Sequence, residues 1–179
     1  MRKPILWFPR LLWVCLSLHS LGCDVIYGLL DREGAQEKKL IGTALPFEKN
    51  KKVAEIQALL KIYGYYPGFP DGVLGTKTRL AITRFQEEND LKVSHYVDEA
   101  TWAKLNVFRI NGLIEETQLN IKLIQRILKA RGFSPGVADG RGGPKTTEAI
   151  RQFQKAHGLV ADGKIGYKTL LKLSSYLLD

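Results

Sequence analysis

The sequence offers few residue combinations that could catalyse a reaction. A zinc-dependent hydrolase needs several histidine and carboxylate ligands that converge on one metal ion, yet beyond its first thirty residues the chain has only His95 and His157. Both cysteines, Cys15 and Cys23, lie near the N-terminus, so the remaining chain has neither a disulfide nor a thiolate nucleophile. We therefore expect no metal site, no cofactor and no catalytic residue, and surface positions for both histidines.

Paired carboxylates are the catalytic arrangement that the sequence leaves open, because any two of its 18 acidic residues could meet in the fold. A phosphate-binding loop is not indicated, since Gly140-Arg141-Gly142-Gly143 has the composition of a turn and lacks a Lys-Ser/Thr pair at the required spacing. Two repeated units account for nearly all residues expected to fold, which leaves little room for a catalytic domain. We expect the protein not to be an enzyme.

Three basic residues lie where a cation needs an explanation. Lys77 and Lys145 occupy matching places in the first turn of a predicted helix, where the positive end of the helix dipole is unfavourable to them. Arg141 lies in the loop just before Lys145. An anionic ligand would account for these cations, and the alternative is that they are exposed, solvated side chains.

The loops that precede Lys77 and Lys145 carry further candidate binding residues. Tyr65, Tyr66 and Phe69 offer flat apolar rings beside an Asp-Gly turn, and a ligand could stack on them. Asp71 and its counterpart Asp139 could hydrogen-bond a ligand. The alternative for both aspartates is structural, with the carboxylate stabilising the loop as an Asx-type turn. We expect each junction of loop and helix to form a shallow groove.

An internal repeat organises the chain. A shift of the sequence by 68 residues superimposes Val53–Leu105 on Ile121–Leu173 without a gap. Identical pairs include Gln57 and Gln125, Gly64 and Gly132, Asp71 and Asp139, Lys77 and Lys145, Phe85 and Phe153, and Leu105 and Leu173. The body of the protein is therefore one unit of about 55 residues that occurs twice.

Each unit is predicted to form three helices. In the first unit Val53, Ile56 and Leu60 follow the period of a helix, and Gly64 is suited to end it. A second helix places Ala and Phe residues inward, and a short third helix follows. We predict an all-α fold of two tandem three-helix bundles, each around its own apolar core. The expected boundaries are 50–107 for the first domain, 108–117 for a linker and 118–179 for the second domain.

Both units resemble the peptidoglycan-binding three-helix module that is often attached to bacterial cell-wall hydrolases. The shared pattern is most complete in the second unit, in Ile124-Gln125, Leu128, Pro135-Gly136, Asp139-Gly140, Gly143, Thr146, Phe153-Gln154, Asp162-Gly163, Gly166 and Thr169. The first unit departs from it in the closing segment, where Ser94-His95 replace Asp-Gly and Asp98 replaces a glycine. These departures leave its last turn, and a binding role there, open.

The resemblance implies a non-catalytic protein that binds peptidoglycan, through its glycan strand or its stem peptide, and concentrates an attached activity on the cell wall. Stem-peptide carboxylates would meet the cations, and sugar hydroxyls or peptide amides would meet the aspartates. The candidate ligand contacts are then Tyr65, Tyr66, Asp71, Lys77, Asp139, Arg141 and Lys145. The alternative is an envelope protein-protein adaptor, or an accessory subunit of a cell-wall hydrolase or secretion complex, with exposed aromatic residues as anchors.

The N-terminus indicates export. Basic residues flank the start of an apolar stretch of about a dozen residues, which is typical of a signal peptide and is predicted at 1–22. The segment Ser20-Leu21-Gly22-Cys23 resembles the lipobox of bacterial lipoproteins, in which the cysteine becomes the lipidated N-terminus. Cys23 would then hold the protein on a membrane in the cell envelope or periplasm, and residues 23–49 would form a polar tether.

Two alternatives concern the membrane and the charge. An uncleaved signal anchor over residues 11–30 would place Asp24 in the bilayer, at about 2.5–3.5 kcal/mol on insertion scales. The formal net charge of +9 favours polyanions, whether nucleic acid, anionic lipid or an anionic wall. Because nucleic-acid binding conflicts with export and no recognition motif is present, we expect no nucleic-acid partner.

Overall fold

The computed structural model describes Arg32 and residues 34–43, 48–66 and 68–177. The predicted signal peptide at 1–22 and the predicted lipidation site Cys23 lie outside these residues. No described helix is both long and apolar enough to cross a bilayer.

The regular structure of the described body is helical apart from one very short hairpin between its halves. Three helices form the first module and three form the second, and a further helical segment, residues 34–41, precedes both modules. In chain order the elements are α1 (Lys51–Ile62), α2 (Thr76–Glu88), α3 (Glu99–Ile110), β1 (Ile114–Glu115), β2 (Gln118–Leu119), α4 (Ile121–Ala130), α5 (Pro144–Ala156) and α6 (Tyr167–Ser174). The predicted all-α fold with two tandem three-helix modules is confirmed.

Local signals in the sequence set the ends of the helices. The side chain of Asn50 accepts hydrogen bonds from the first backbone N–H groups of α1, and Asn120 does the same for α4. Gly64 and Gly132 follow α1 and α4 with φ of 92° and 85°, a left-handed conformation that glycine adopts without strain. Pro144 opens α5, where its missing N–H has no intrahelical partner to lose.

The hairpin lies where the predicted linker meets the predicted second domain, with β1 inside 108–117 and β2 directly after it. β1 and β2 pair antiparallel, with Ile114 opposite Leu119. However, α3 continues to Ile110, its residue Phe108 is fully buried, and Leu113 and Ile114 are buried as well. The segment expected as a linker, 108–117, therefore contributes buried apolar side chains to the core.

The two modules share one core across their contact. The ring of Tyr167, in the first turn of α6, packs edge-on against Tyr63, Phe85 and Phe108 of the first module, with ring centroids 5.3, 5.5 and 5.3 Å apart. The backbone N–H of Tyr167 also donates to the carbonyl oxygen of Tyr63 at 3.3 Å. The expectation of two separate apolar cores is wrong at this contact, because Tyr167 inserts into the first module.

Part of the expected tether packs on the body. Residues 34–41 are helical, and Ile41 is buried. Glu37 is only 5% exposed, and its carboxylate takes two hydrogen bonds from the Arg79 guanidinium at 2.6 and 2.7 Å and one from the Val97 N–H at 2.9 Å. The expectation that all of 23–49 is a spacer is wrong for residues 34–41, since charged and apolar groups there have partners in the first module.

Candidate functional site

A buried glutamine organises the loop before the second helix of each module, where the candidate binding residues lie. In the second module the Gln125 Nε2 group lies 3.2 Å from Asp139 Oδ1, 3.0 Å from the Arg141 carbonyl and 3.0 Å from Thr146 Oγ1. Its Oε1 atom accepts the Gly140 N–H at 2.9 Å. We call this arrangement, a helix glutamine that holds an Asp-Gly-x loop and a following threonine, the glutamine clasp.

The same clasp occurs four times in the described body. The first-module counterpart is formed by Gln57, Asp71, Gly72, Val73 and Thr78. The closing segment of the second module forms a third clasp from Gln154, Asp162, Gly163, Lys164 and Thr169. The fourth is in the first module, from Gln86, Ser94, His95, Tyr96 and Thr101. Each module therefore contains the clasp twice, before its second and third helices.

The first module keeps its closing clasp although its residues depart from the pattern. Ser94 Oγ accepts a hydrogen bond from Gln86 Nε2 at 3.0 Å, as an aspartate does in the other clasps. His95 takes the left-handed backbone conformation, φ 65°, that Gly163 takes with φ 76° in the second module. Asp98 caps α3 by accepting the Thr101 N–H at 2.8 Å. The last turn that the sequence analysis leaves open is therefore formed.

Asp71 and Asp139 have a structural role in these clasps. Each Oδ1 accepts the backbone N–H two residues later at 2.9 Å, from Val73 and Arg141, which makes an Asx-type turn. These backbone hydrogen bonds, followed by the glutamine amide, lower the pKa of both carboxyls below the ordinary value of 3.8. Both side chains are exposed. They are therefore accessible to a ligand, as the sequence-based hypothesis requires.

Tyr65 and Tyr66 are core residues rather than a stacking platform. They are only 8% and 5% exposed, so the expectation of two accessible rings is wrong: the turn after α1 directs both inward. Burial raises the pKa of Tyr65 to about 12, and its hydroxyl lies 3.2 Å from both Glu88 Oε2 and Asn89 Nδ2. Phe69, in contrast, is 80% exposed.

Exposed apolar side chains recur at one place in three of the four clasps. Phe69, Val137 and Val160 each stand two residues before the clasp aspartate and are 80%, 79% and 81% exposed. Val137 and Val160 were missed by the sequence analysis. Their equivalent spacing before Asp139 and Asp162 was the signal that could have found them.

The three candidate cations lie on the surface. This position is expected both for cations that contact an anionic ligand and for solvated side chains. Lys77, Lys145 and Arg141 are all exposed, and the Lys145 side chain passes 3.6 Å from the position that a Cβ on Gly136 would take. Lys145 therefore lies over the Pro-Gly turn of its own module. None of these three cations lines the cleft between the modules.

The cleft between the modules has a volume of about 720 Å³, and this volume falls in the range of ligand sites. Its first-module wall is the end of α1 with the following turn, and the outer face of α2. Its second-module wall is the closing clasp loop and the start of α6. The residues that give it its chemistry are Lys61, Arg84, Glu88, Val160, Asp162, Lys164 and Lys168. Of the seven predicted contacts only Tyr65 lines this cleft.

The described residues contain no group of three or more His, Cys, Asp or Glu side chains placed to hold a metal ion. His95 is exposed and lies 2.8 Å from Thr83 Oγ1. His157 is half-buried against Phe153, with its two ring nitrogens 2.7 Å from the Phe153 carbonyl and 2.6 Å from the Tyr176 hydroxyl. A surface position is thus confirmed for His95, whereas His157 belongs to the packing around α5.

Comparison with known families decides what this repeated fold is. The family model described as "Putative peptidoglycan binding domain" matches residues 49–105 and again 117–173. The chain belongs to this family. The resemblance noted from the sequence is confirmed, and the two matches coincide with the two modules and their clasps. Peptidoglycan-binding domains support cell-wall binding and a location outside the cytoplasm.

Two curated relatives also carry such a segment. The chain is 28% identical over 158 residues to N-acetylmuramoyl-L-alanine amidase CwlL of Bacillus licheniformis, an alignment that covers 80% of this chain and 42% of the relative. It is 32% identical over 102 residues to N-acetylmuramoyl-L-alanine amidase CwlM of Mycobacterium tuberculosis, covering 52% of this chain and 25% of the relative. The chain thus spans less than half of either relative. No solved structure matches the chain.

Proposed function

We propose that the protein is a non-catalytic peptidoglycan-binding protein that attaches to the cell wall and brings a partner activity to it. The observation that carries this proposal is the tandem family match at 49–105 and 117–173, each copy with both of its glutamine clasps formed. Since the clasps fix the loops around them, both modules keep the local framework of the repeated fold.

The absence of catalysis is part of this proposal. The amidase relatives extend well beyond the region that aligns with this chain, which covers 42% and 25% of their lengths. The two matched modules are of a binding type and occupy most of the described residues. We therefore assign wall attachment, rather than bond cleavage, to this chain, and propose that a separate hydrolase or envelope complex supplies the activity.

Sedimentation with purified sacculi tests wall binding. The protein without residues 1–22 should pellet with sacculi at about 0.15 M salt, where the electrostatic screening length is about 8 Å. Insoluble cellulose is the control, because it is a glycan without stem peptides. Failure to pellet with sacculi, together with stoichiometric capture of one envelope protein, would replace the proposal by the adaptor alternative.

The loop-helix junctions are the binding surface that the sequence analysis proposes. Replacing Arg141 and Lys145 by alanine together, and separately replacing Lys77, removes the cations from both junctions. These side chains are exposed, so the substitutions should leave the fold intact. Reduced pelleting would support the junctions as the wall contact, and unchanged pelleting would remove these residues from the proposal.

We also propose that Cys23 is lipidated and anchors the protein to a membrane. The proposal is supported by the Ser20-Leu21-Gly22-Cys23 segment that follows the apolar stretch. Metabolic labelling with a fatty acid should mark the native chain, and Cys23→Ser should abolish both the label and membrane fractionation. Cys15→Ser is the matched control, and loss of the label in that variant instead would contradict the assignment.

A further inference from the structure

We propose that the cleft between the two modules binds the peptide part of peptidoglycan and recognises the carboxylates of a stem peptide. This inference rests on the proposed wall-binding function and names the ligand chemistry of one site. The site is formed only when both modules are present in one chain, because each contributes one wall.

The charge of the cleft selects an anionic ligand. Four exposed cations line it, two from the first module, Lys61 and Arg84, and two from the second, Lys164 and Lys168. The acidic residues of the lining are Glu88 and Asp162. An excess of positive charge in a concave surface concentrates field and attracts anions.

Both acidic residues of the cleft already have partners within the protein. Asp162 Oδ1 accepts the Lys164 backbone N–H at 2.8 Å and the Gln154 amide at 3.2 Å. Glu88 Oε2 accepts the Tyr65 hydroxyl at 3.2 Å. The two carboxylates are therefore partly neutralised by hydrogen bonds to the cleft walls. The cationic side chains of the lining remain available to a carboxylate in the cleft.

The apolar part of the cleft fits a short peptide better than a sugar chain. Sugars bind proteins by stacking on exposed aromatic faces, but the rings at this cleft, Tyr63, Tyr65 and Tyr167, are all buried. Among the apolar side chains of the lining, Val160 is exposed, and Leu159 and Ile165 are half-buried beside it. Small aliphatic surfaces of this kind suit the methyl groups of alanine residues, which peptidoglycan stems contain beside their carboxylates.

The contact between the modules holds the cleft in shape. Tyr167 lies at the base of the second-module wall and packs into the first module. Gly166, next to it, brings its backbone so close to Tyr63 that a Cβ would lie 3.4 Å from the Tyr63 carbonyl oxygen. A site whose walls are fixed before binding loses less free energy to ordering when the ligand arrives.

The test uses the full chain, purified in mild detergent, and three soluble probes. They are a synthetic stem peptide with free carboxylates, the same peptide with its carboxylates amidated, and a peptide-free oligosaccharide of the wall glycan. We expect the free peptide to bind at least about tenfold more tightly than the amidated peptide. Tighter binding of the oligosaccharide than of the free peptide would overturn the proposal.

Charge-reversed variants locate the site. Lys164→Glu combined with Lys168→Glu should weaken binding of the free peptide by at least about tenfold. The control, Lys51→Glu with Lys155→Glu, changes the net charge equally at exposed positions outside the cleft and should bind as the unmodified chain does. Equal weakening by both pairs would show non-specific attraction and overturn the proposal. Thermal unfolding of each variant verifies its fold.

Two outcomes separate this inference from the proposed function. If the chain pellets with sacculi and the Lys164→Glu, Lys168→Glu variant pellets and binds peptide equally well, the cleft is not the site and wall binding stands. If the unmodified chain does not pellet at all, the proposed function fails first. Amide chemical shifts of Val160 and Lys168, compared with those of Lys77 and Lys145, report directly which surface the peptide contacts.

Discussion

The backbone N–H of Tyr167 donates to the carbonyl oxygen of Tyr63 at 3.3 Å, and the two rings meet edge to face with centroids 5.3 Å apart. In the repeat, Tyr167 corresponds to the exposed Glu99 of the first module. A single position at which the two copies differ therefore supplies the ring that joins them, and with it one wall of the inter-module cleft.

Tyr167→Ala should destabilise the protein strongly. The ring is buried against three aromatic residues of the first module, and deleting a large buried aromatic side chain costs about 3–5 kcal/mol. Urea unfolding should show this loss in the free energy of unfolding. Tyr167→Phe is the matched control, because it keeps the ring, and it should stay within about 1 kcal/mol of the unmodified protein. Equal losses in both variants would refute a role of ring packing.

Gln125→Ala should open one glutamine clasp. It removes the acceptor of the Gly140 N–H and the amide that donates to Asp139 and to the Arg141 carbonyl, and the loss of such hydrogen bonds costs about 1–3 kcal/mol. The measurement is the midpoint and slope of urea unfolding. Gln152→Ala is the control, since its exposed side chain donates a hydrogen bond to Glu148 of its own helix, and it should change stability by less than about 0.5 kcal/mol. A neutral Gln125→Ala would contradict the clasp as a stabilising element.

The repeat made most of the fold predictable. Because Gln57, Asp71 and Thr78 recur 68 residues later at identical spacing, their shared role in the backbone could be inferred. Their hydrogen bonds could not, since a glutamine on the buried face of a helix gives no sign of which loop it will bond. For Asp71 and Asp139 the sequence offered an Asx-type turn as one alternative, and their hydrogen bonds to the backbone N–H groups of Val73 and Arg141 form that turn.

The parts that escaped prediction depend on contacts between segments distant in the chain. Residues 34–41 have no clear apolar period, so their helix was missed. It is stabilised by the Glu37–Arg79 pair across 42 positions. Tyr65 and Tyr66 were expected at the surface because they lie in a loop beside the Asp-Gly turn. An aromatic residue in a loop can point inward or outward, and only its packing in the fold decides which. The cleft itself depends on how the modules meet, which a repeat pattern does not encode.

Acid should weaken the clasps at Asp71 and Asp139. The folded state lowers the pKa of both carboxyls below 3.8 through backbone and glutamine hydrogen bonds. The stabilisation is therefore complete above the ordinary value and is lost as pH falls through the lowered one. Asp139→Asn keeps an acceptor oxygen but does not titrate, so its stability difference from the unmodified protein should shrink as pH falls from 7 to about 2. A difference independent of pH in urea unfolding would contradict this.

Glu37→Gln should release residues 34–41 from the first module. The substitution keeps the size of the side chain but removes the charge that faces the Arg79 guanidinium, and hydrogen bonds to charged groups contribute about 1.5–3 kcal/mol. Amide hydrogen exchange in 34–41 should then accelerate at least about tenfold, while exchange in α1 and α2 stays unchanged. Lys38→Gln is the control, because that side chain is exposed on the same segment. Unchanged exchange in Glu37→Gln would mean that Ile41 and its apolar neighbours suffice to hold the segment.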